Sequence, residues 1–167
     1  MGVTGFFRPE TAPPTAFYFS VKFRGMGEID SGFQEVSGLK STFGLEERKE
    51  GGENGFVHRF PTAPKFENFV LKRCLIPNSR LDQWCTDAFS RFRFDPRDIQ
   101  IALLGAKESS IGKTYDPYSG KRAKILASWN VVQAYPVSWE LTGLNSTSNK
   151  LAIETLTLNY RYFKREI

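Results

Sequence analysis

Residues 50–73 read EGGENGFVHRFPTAPKFENFVLKR. The glycines Gly51, Gly52 and Gly55 open a turn, Phe56, His58 and Phe60 then fall on alternate positions, and a Pro-Thr-Ala-Pro break at 61–64 leads into a second run holding Phe69 and Leu71. A turn followed by a side-chain period of two is the pattern of a β-hairpin. The stretch that enters the turn, LEERKEGGEN at 45–54, is charged and has few apolar anchors, so on a lone chain it is a protrusion with little to bury. Such a ribbon invites a partner, because pairing its edges with another chain satisfies N–H and C=O groups that are otherwise exposed.

N-terminal to this stretch, residues 1–16 contain Pro9, Pro13 and Pro14 and no apolar period, which predicts an extended arm. Residues 17–167 form the single expected domain. Phe17, Phe19, Val21 and Phe23 alternate with polar neighbours as in a half-buried strand. Gly25, Gly27 and Gly32 mark a turn, and FQEVSGLKSTF at 33–43 predicts two strand segments, with Gly38 at a bulge or a close backbone approach.

C-terminal to it, Leu81, Trp84, Cys85, Ala88, Phe89 and Phe92 recur at helical spacing. Ser79 with Asp82 reads as an N-terminal cap, and Asp95-Pro96 as a stop. Trp84 and Phe89 are then core residues that cover a sheet. Ile99, Ile101 and Leu103 alternate as a strand before a polar loop through residue 123; Ile125, Ala127, Trp129 and Val131 form the next strand, Tyr135-Pro136 turns it, and Val137–Leu141, with Trp139, follows. In 151–163 the apolar phase switches from odd to even positions, which predicts a bulge near Glu154 and Thr155. The pattern amounts to about seven strands and one helix: a small mainly-β barrel or two-sheet sandwich with one flanking helix. Its expected core includes Phe19, Phe69, Leu71, Trp84, Phe89, Trp129 and Trp139.

The 167 residues suit one domain, and 40% hydrophobic residues suffice for one core. No run approaches membrane-helix length, and the first residues lack a signal-peptide pattern, so the expectation is a soluble cytoplasmic product with no stable membrane insertion. Cys74 and Cys85 without a second pair, and one histidine, support neither a zinc site nor a disulfide framework. No cofactor is expected. A net charge of +5 permits nucleic-acid binding, but the basic residues are scattered, as a solvated surface requires. IGKT at 111–114 lacks the leading glycine of a phosphate loop, since Lys107 stands there, and Tyr115-Asp116-Pro117 blocks the helix that motif needs. His58 sits on a strand face between Phe56 and Phe60, and Glu46, Glu47, Glu50 and Glu53 sit on the charged hairpin, so neither set predicts catalysis. The expectation is a protein that is not an enzyme.

Several segments in order resemble one family, the contractile tail tube proteins of phage tails and contractile injection systems: FQEVSGL at 33–39, EGGEN at 50–54, KFENFVLKR at 65–73, WNVVQAYPVSW at 129–139 and LAIETLTLNY at 151–160. WCTDAF at 84–89 and RYFKREI at 161–167 look most like tubes of extracellular injection systems, and Leu144-Asn145 resembles a short family turn. Cys74, Gly105-Ala106-Lys107 and the enlarged loop after them depart from the family pattern. The resemblance implies a structural subunit whose hexameric rings stack into a hollow tube, driven through a target membrane by a contracting sheath, with cargo protein or DNA in the lumen. It further implies a baseplate hub and spike, a tube terminator or cap, and cytoplasmic assembly into a phage tail or a released or membrane-anchored particle. In the family the hairpin completes a barrel across subunits, which makes Leu45, Glu46, Glu47, Arg48, Glu50, Gly51, Gly52 and Asn54 the candidate intersubunit residues. Two alternatives remain: a baseplate adaptor ring that starts the tube, and a nucleic-acid-binding β-barrel.

Overall fold

A computed structural model describes residues 19–26, 32–49, 51, 55–108, 114–115, 122–142 and 151–166. The arm at 1–16, hairpin residues Glu50, Gly52 and Asn54, Ile111–Lys113 of the polar loop, and Leu144-Asn145 lie outside the described residues. In chain order the elements are β1 (Phe19–Phe23), β2 (Phe33–Ser37), β3 (Ser41–Arg48), β4 (His58–Phe66), β5 (Phe69–Cys74), α1 (Arg80–Arg91), β6 (Arg97–Glu108), β7 (Thr114–Tyr115), β8 (Arg122–Thr142), β9 (Ile153–Asn159) and β10 (Tyr162–Arg165).

The fold is mainly β and antiparallel. Eight strands connect in the order β1-β6-β8-β9-β5-β2, with β7 and β10 also on β8, while β3 and β4 form a separate two-stranded ribbon. The long strand β8 is shared. Its first half pairs with β6 and β10, and its second half with β9. Between the halves Gln133 adopts a left-handed φ of 54° and donates its N–H to Asp98 Oδ1 at 3.1 Å, where the β6–β8 register slips. A second slip, against β9, falls between Pro136 and Ser138. Bulges bend a strand and raise its twist, so β8 passes from one half-sheet to the other without ending. The predicted turn at Tyr135-Pro136 is therefore such a bend, and buried Pro136 stays within the strand. The order ends on β1 and β2, so among the described residues the sheet does not close into a barrel.

Side chains from both halves and the helix meet in one core that includes Val21, Phe23, Phe69, Leu71, Leu81, Trp84, Ile99, Val131, Leu156 and Leu158. Phe19, Trp129 and Trp139 lie partly buried at its margin. Ser79 caps α1, its Oγ accepting from the Asp82 N–H at 3.1 Å. Leu81, Trp84, Cys85 and Ala88 are the buried face of the helix. Phe89, expected in the core, is 47% exposed: its neighbour Ala88 is still buried, so that turn of the helix is covered, and Phe89 lies at the margin of the buried face. The helix stops at Arg91, with Phe92 as its left-handed cap, before Asp95-Pro96 is reached.

Two more expectations are corrected. The strand β9 pairs with β5 in unbroken register from Phe69↔Leu158 to Cys74↔Ile153, so no bulge lies at Glu154 and Thr155. Glu154 instead occupies the inward face, only 1% exposed. It is held there by Arg73 Nε at 2.6 Å and Trp139 Nε1 at 2.6 Å, and Arg73 in turn donates to the capping Ser79 Oγ at 2.6 Å. A buried carboxylate needs such partners. This network ties β5, β8, β9 and the start of α1 together. The polar loop, for its part, is shortened by strands: β6 runs to Glu108, β7 pairs with β8, and β8 begins at Arg122.

Candidate functional site

The ribbon β3–β4 is anchored firmly at its base and uncovered beyond it. At the base Gly38 takes φ 86°, and a Cβ there would meet the Asn68 carbonyl oxygen at 2.8 Å, so only glycine lets the two crossing segments touch. The Glu67 N–H donates to Lys40 O at 3.2 Å, and Lys40 Nζ pairs with Glu67 Oε1 at 2.7 Å. Phe66 packs on Tyr160 and Phe163, with ring centroids 6.0 and 5.9 Å away. Tyr160, which donates its hydroxyl to Lys40 O, has its phenol pKa raised chiefly by burial. The direction in which the ribbon leaves the body is thus set by packed aromatics and backbone contacts.

Beyond the base, β3 and β4 pair only with each other among the described residues. The strand β4 runs unbroken through Pro61 and Pro64, so the Pro-Thr-Ala-Pro segment is strand, and the chain turns at Glu67-Asn68. The two prolines sit opposite Leu45 and Phe43, flanking a register slip where Thr62 Oγ1 lies over Gly44; a Cβ on Gly44 would be 2.5 Å from that oxygen. Prolines are tolerated in strands at edges and bulges, and this ribbon offers both.

One face carries Phe43 and Leu45, 66% and 64% exposed, and beyond them the Glu47–Arg59 ion pair at 3.0 Å. The other carries a ladder of rings, Phe56 on His58 at 4.9 Å and His58 on Phe60 at 6.1 Å, with Phe56 58% and Phe60 51% exposed. Of the candidate intersubunit residues, Leu45, Glu46, Glu47 and Arg48 lie on β3 and Gly51 at the described part of the turn; all five are exposed. A Cβ on Gly51 would meet nothing within 4 Å, so that position does not demand glycine. Phe43, Phe56 and Phe60 join them as exposed apolar groups. The alternating aromatics of 56–60 signalled their shared face, whereas Phe43 was masked by its place beside the glycine-bulged run.

Next to the base, Phe19, Val36, Leu39, Ile101, Leu103, Trp129 and Phe163 line an apolar groove of about 360 Å³. In the ribbon His58 lies between two phenylalanines, and away from it Thr114–Tyr115 is a strand where a phosphate loop needs a helix. Among the described residues no cluster of metal-ligating side chains occurs, and no helix is long and apolar enough to cross a membrane.

A family model described as T4-like virus tail tube protein gp19 matches residues 15–164. Among solved structures, a chain in the cryo-EM structure of the anti-feeding prophage (AFP) baseplate superposes with a TM-score of 0.74 at 22% identity, covering 93% of this chain and 96% of that one. A chain of the PVC extracellular contractile injection system, in its extended sheath-tube complex, gives 0.71 at 22% identity over 93% and 92%. Hcp1 from Flavobacterium johnsoniae gives 0.50 at 14% identity over 90% and 95%. These likenesses establish a shared fold. No curated protein matches in sequence.

Proposed function

The chain belongs to the T4-like virus tail tube protein family, and from that premise we propose that it is the repeated subunit of a contractile inner tube. In this reading the ribbon β3–β4 of each copy pairs edge to edge with those of its neighbours, so that a barrel forms across hexameric rings and the rings stack around a hollow lumen. The observation that carries it is the ribbon itself. It has two open edges and exposed aromatic or aliphatic groups on both faces, and an isolated two-stranded hairpin is marginal in water. The apolar groove beside its base is a further surface that a neighbouring copy would cover.

The relatives supply the wider assembly. They come from a baseplate, a sheath-tube complex and a tube-terminating cap, and the corresponding partners here are a sheath, a baseplate hub and spike, and a terminator. Cargo protein or DNA would occupy the lumen, and assembly would take place in the bacterial cytoplasm. The baseplate relative also suits a single adaptor ring that starts the tube. Negative-stain microscopy of the purified chain tests both: stacked rings support the repeated subunit, isolated rings that never stack support the adaptor, and monomers alone refute either.

A further inference from the structure

The C-terminal end of α1 holds aromatic rings in water against the preferences of its own backbone. Phe92 caps the helix at φ 51° and is 85% exposed. The cap is closed by backbone alone, the Arg93 N–H reaching Asp87 O at 2.9 Å, and this left-handed position favours glycine. A phenylalanine there stabilises neither the cap nor the core. Phe94, 44% exposed, meets Phe92 edge-on at 5.2 Å and Tyr135 at 6.0 Å, and exposed Phe89 lies one helical turn before Phe92.

Beside these rings opens a cleft of about 570 Å³ lined by Arg80, Trp84, Asp87, Arg93, Asp95 and Arg97. Its carboxylates are already engaged, Asp87 with Arg91 at 2.7 Å and Asp95 with Arg97 at 2.6 Å. Arg80 and Arg93 are exposed and have no side-chain partner among the described residues. The patch therefore combines apolar rings with an excess of positive charge.

We propose that this edge docks a segment of another protein in which an apolar side chain is flanked by carboxylates. The apolar group lies against Phe89, Phe92 and Phe94, and the carboxylates pair with Arg80 and Arg93. Aromatic and arginine side chains are the usual anchors of such contacts. A symmetric contact with a second copy would set the same uncompensated arginines against each other. The inference goes beyond the tube reading and does not depend on ring formation.

The test is a selection of short random peptides on the full chain, with the Phe92→Gly/Arg93→Glu variant as counter-target. The expected peptides carry Asp or Glu around Leu, Ile, Phe or Trp, and F92G and R93E each weaken their binding about tenfold, the scale of one interface anchor. Because glycine suits the cap, F92G should keep or raise Tm, and it should form rings as the wild type does. The proposal is overturned by enrichment of basic peptides, by no enrichment over the counter-target, or by preferred binding of oligothymidylate that the same variants abolish. Loss of ring formation or of self-association in F92G would also overturn it, by making the patch a contact between copies.

Discussion

Replacing Glu154 with alanine should be among the most damaging single changes to the fold. Glu154 and Arg73 are each 1% exposed and pair at 2.6 Å; Trp139 donates to the second carboxylate oxygen at 2.6 Å, and Arg73 also reaches the helix-capping Ser79. Removing the carboxylate leaves a guanidinium buried without its counter-charge and an indole N–H without this acceptor. Breaking a buried pair in this way costs about 3–5 kcal/mol, and at roughly 3 °C per kcal/mol for a chain of this size Tm should fall by about 10–15 °C. The assay is urea unfolding followed by tryptophan fluorescence at fixed protein concentration, since assembly adds to apparent stability. An Arg73→Met/Glu154→Leu double variant, which removes both charges, should lose less than the sum of the two single changes. A loss under about 1 kcal/mol for E154A, the range of an exposed pair, would refute the claim that this network locks helix and sheet together.

Trp84→Ala should cost about 3–5 kcal/mol in the same assay, because Trp84 is buried against Phe23 and donates to Asp95 O; a change below about 1 kcal/mol would mean the helix face does not pack on the sheet. Gly38→Ala should cost about 2 kcal/mol or more, read as a lowered urea midpoint, since it combines φ 86° with a 2.8 Å clash at the base of the ribbon. Burial pushes the Cys85 thiol up to about 12, above its ordinary 9.0. Its contribution to stability is thus fully present below pH 9 and is lost as pH rises towards 12, and a thiol reagent at pH 8 should label half-buried Cys74 well before Cys85. Equal labelling rates in the folded chain would contradict the buried placement.

Much of the fold was legible where an element has one buried face, as β5 and β9 do in strict alternation. The alternation of Phe19, Val21 and Phe23 and the helical spacing of Leu81, Trp84, Cys85 and Ala88 each report a surface that must be covered. Gly38 was legible as a close approach because little but glycine fits one. The misreadings share a cause, which is that local pattern does not know its tertiary partners. Glu154 looked like a break in phase because a carboxylate on an inward face is unfavourable until Arg73 and Trp139, distant in sequence, supply the hydrogen bonds. Tyr135-Pro136 and Pro61–Pro64 looked like turns because proline lacks a donor, yet bulges in β8 and open edges on β4 absorb that loss. Phe89 looked buried because periodicity marks a stripe without saying how wide a face is covered, and Phe89 lies at that stripe's margin. The ribbon's few apolar anchors were visible, but its firm base depends on Phe66, Tyr160 and Phe163 meeting across the chain.

The central claim is that the ribbon β3–β4 is completed by neighbouring copies. Proline at Leu45 and at Arg48 together would remove two N–H donors from β3 while leaving the eight-stranded sheet and its core untouched. The decisive measurement is sedimentation velocity with negative-stain microscopy on the wild type and this double variant. The account predicts rings or tubes from the wild type, and from the variant a soluble monomer whose circular dichroism remains β-rich. Rings or tubes assembled normally by a chain carrying both prolines would contradict it.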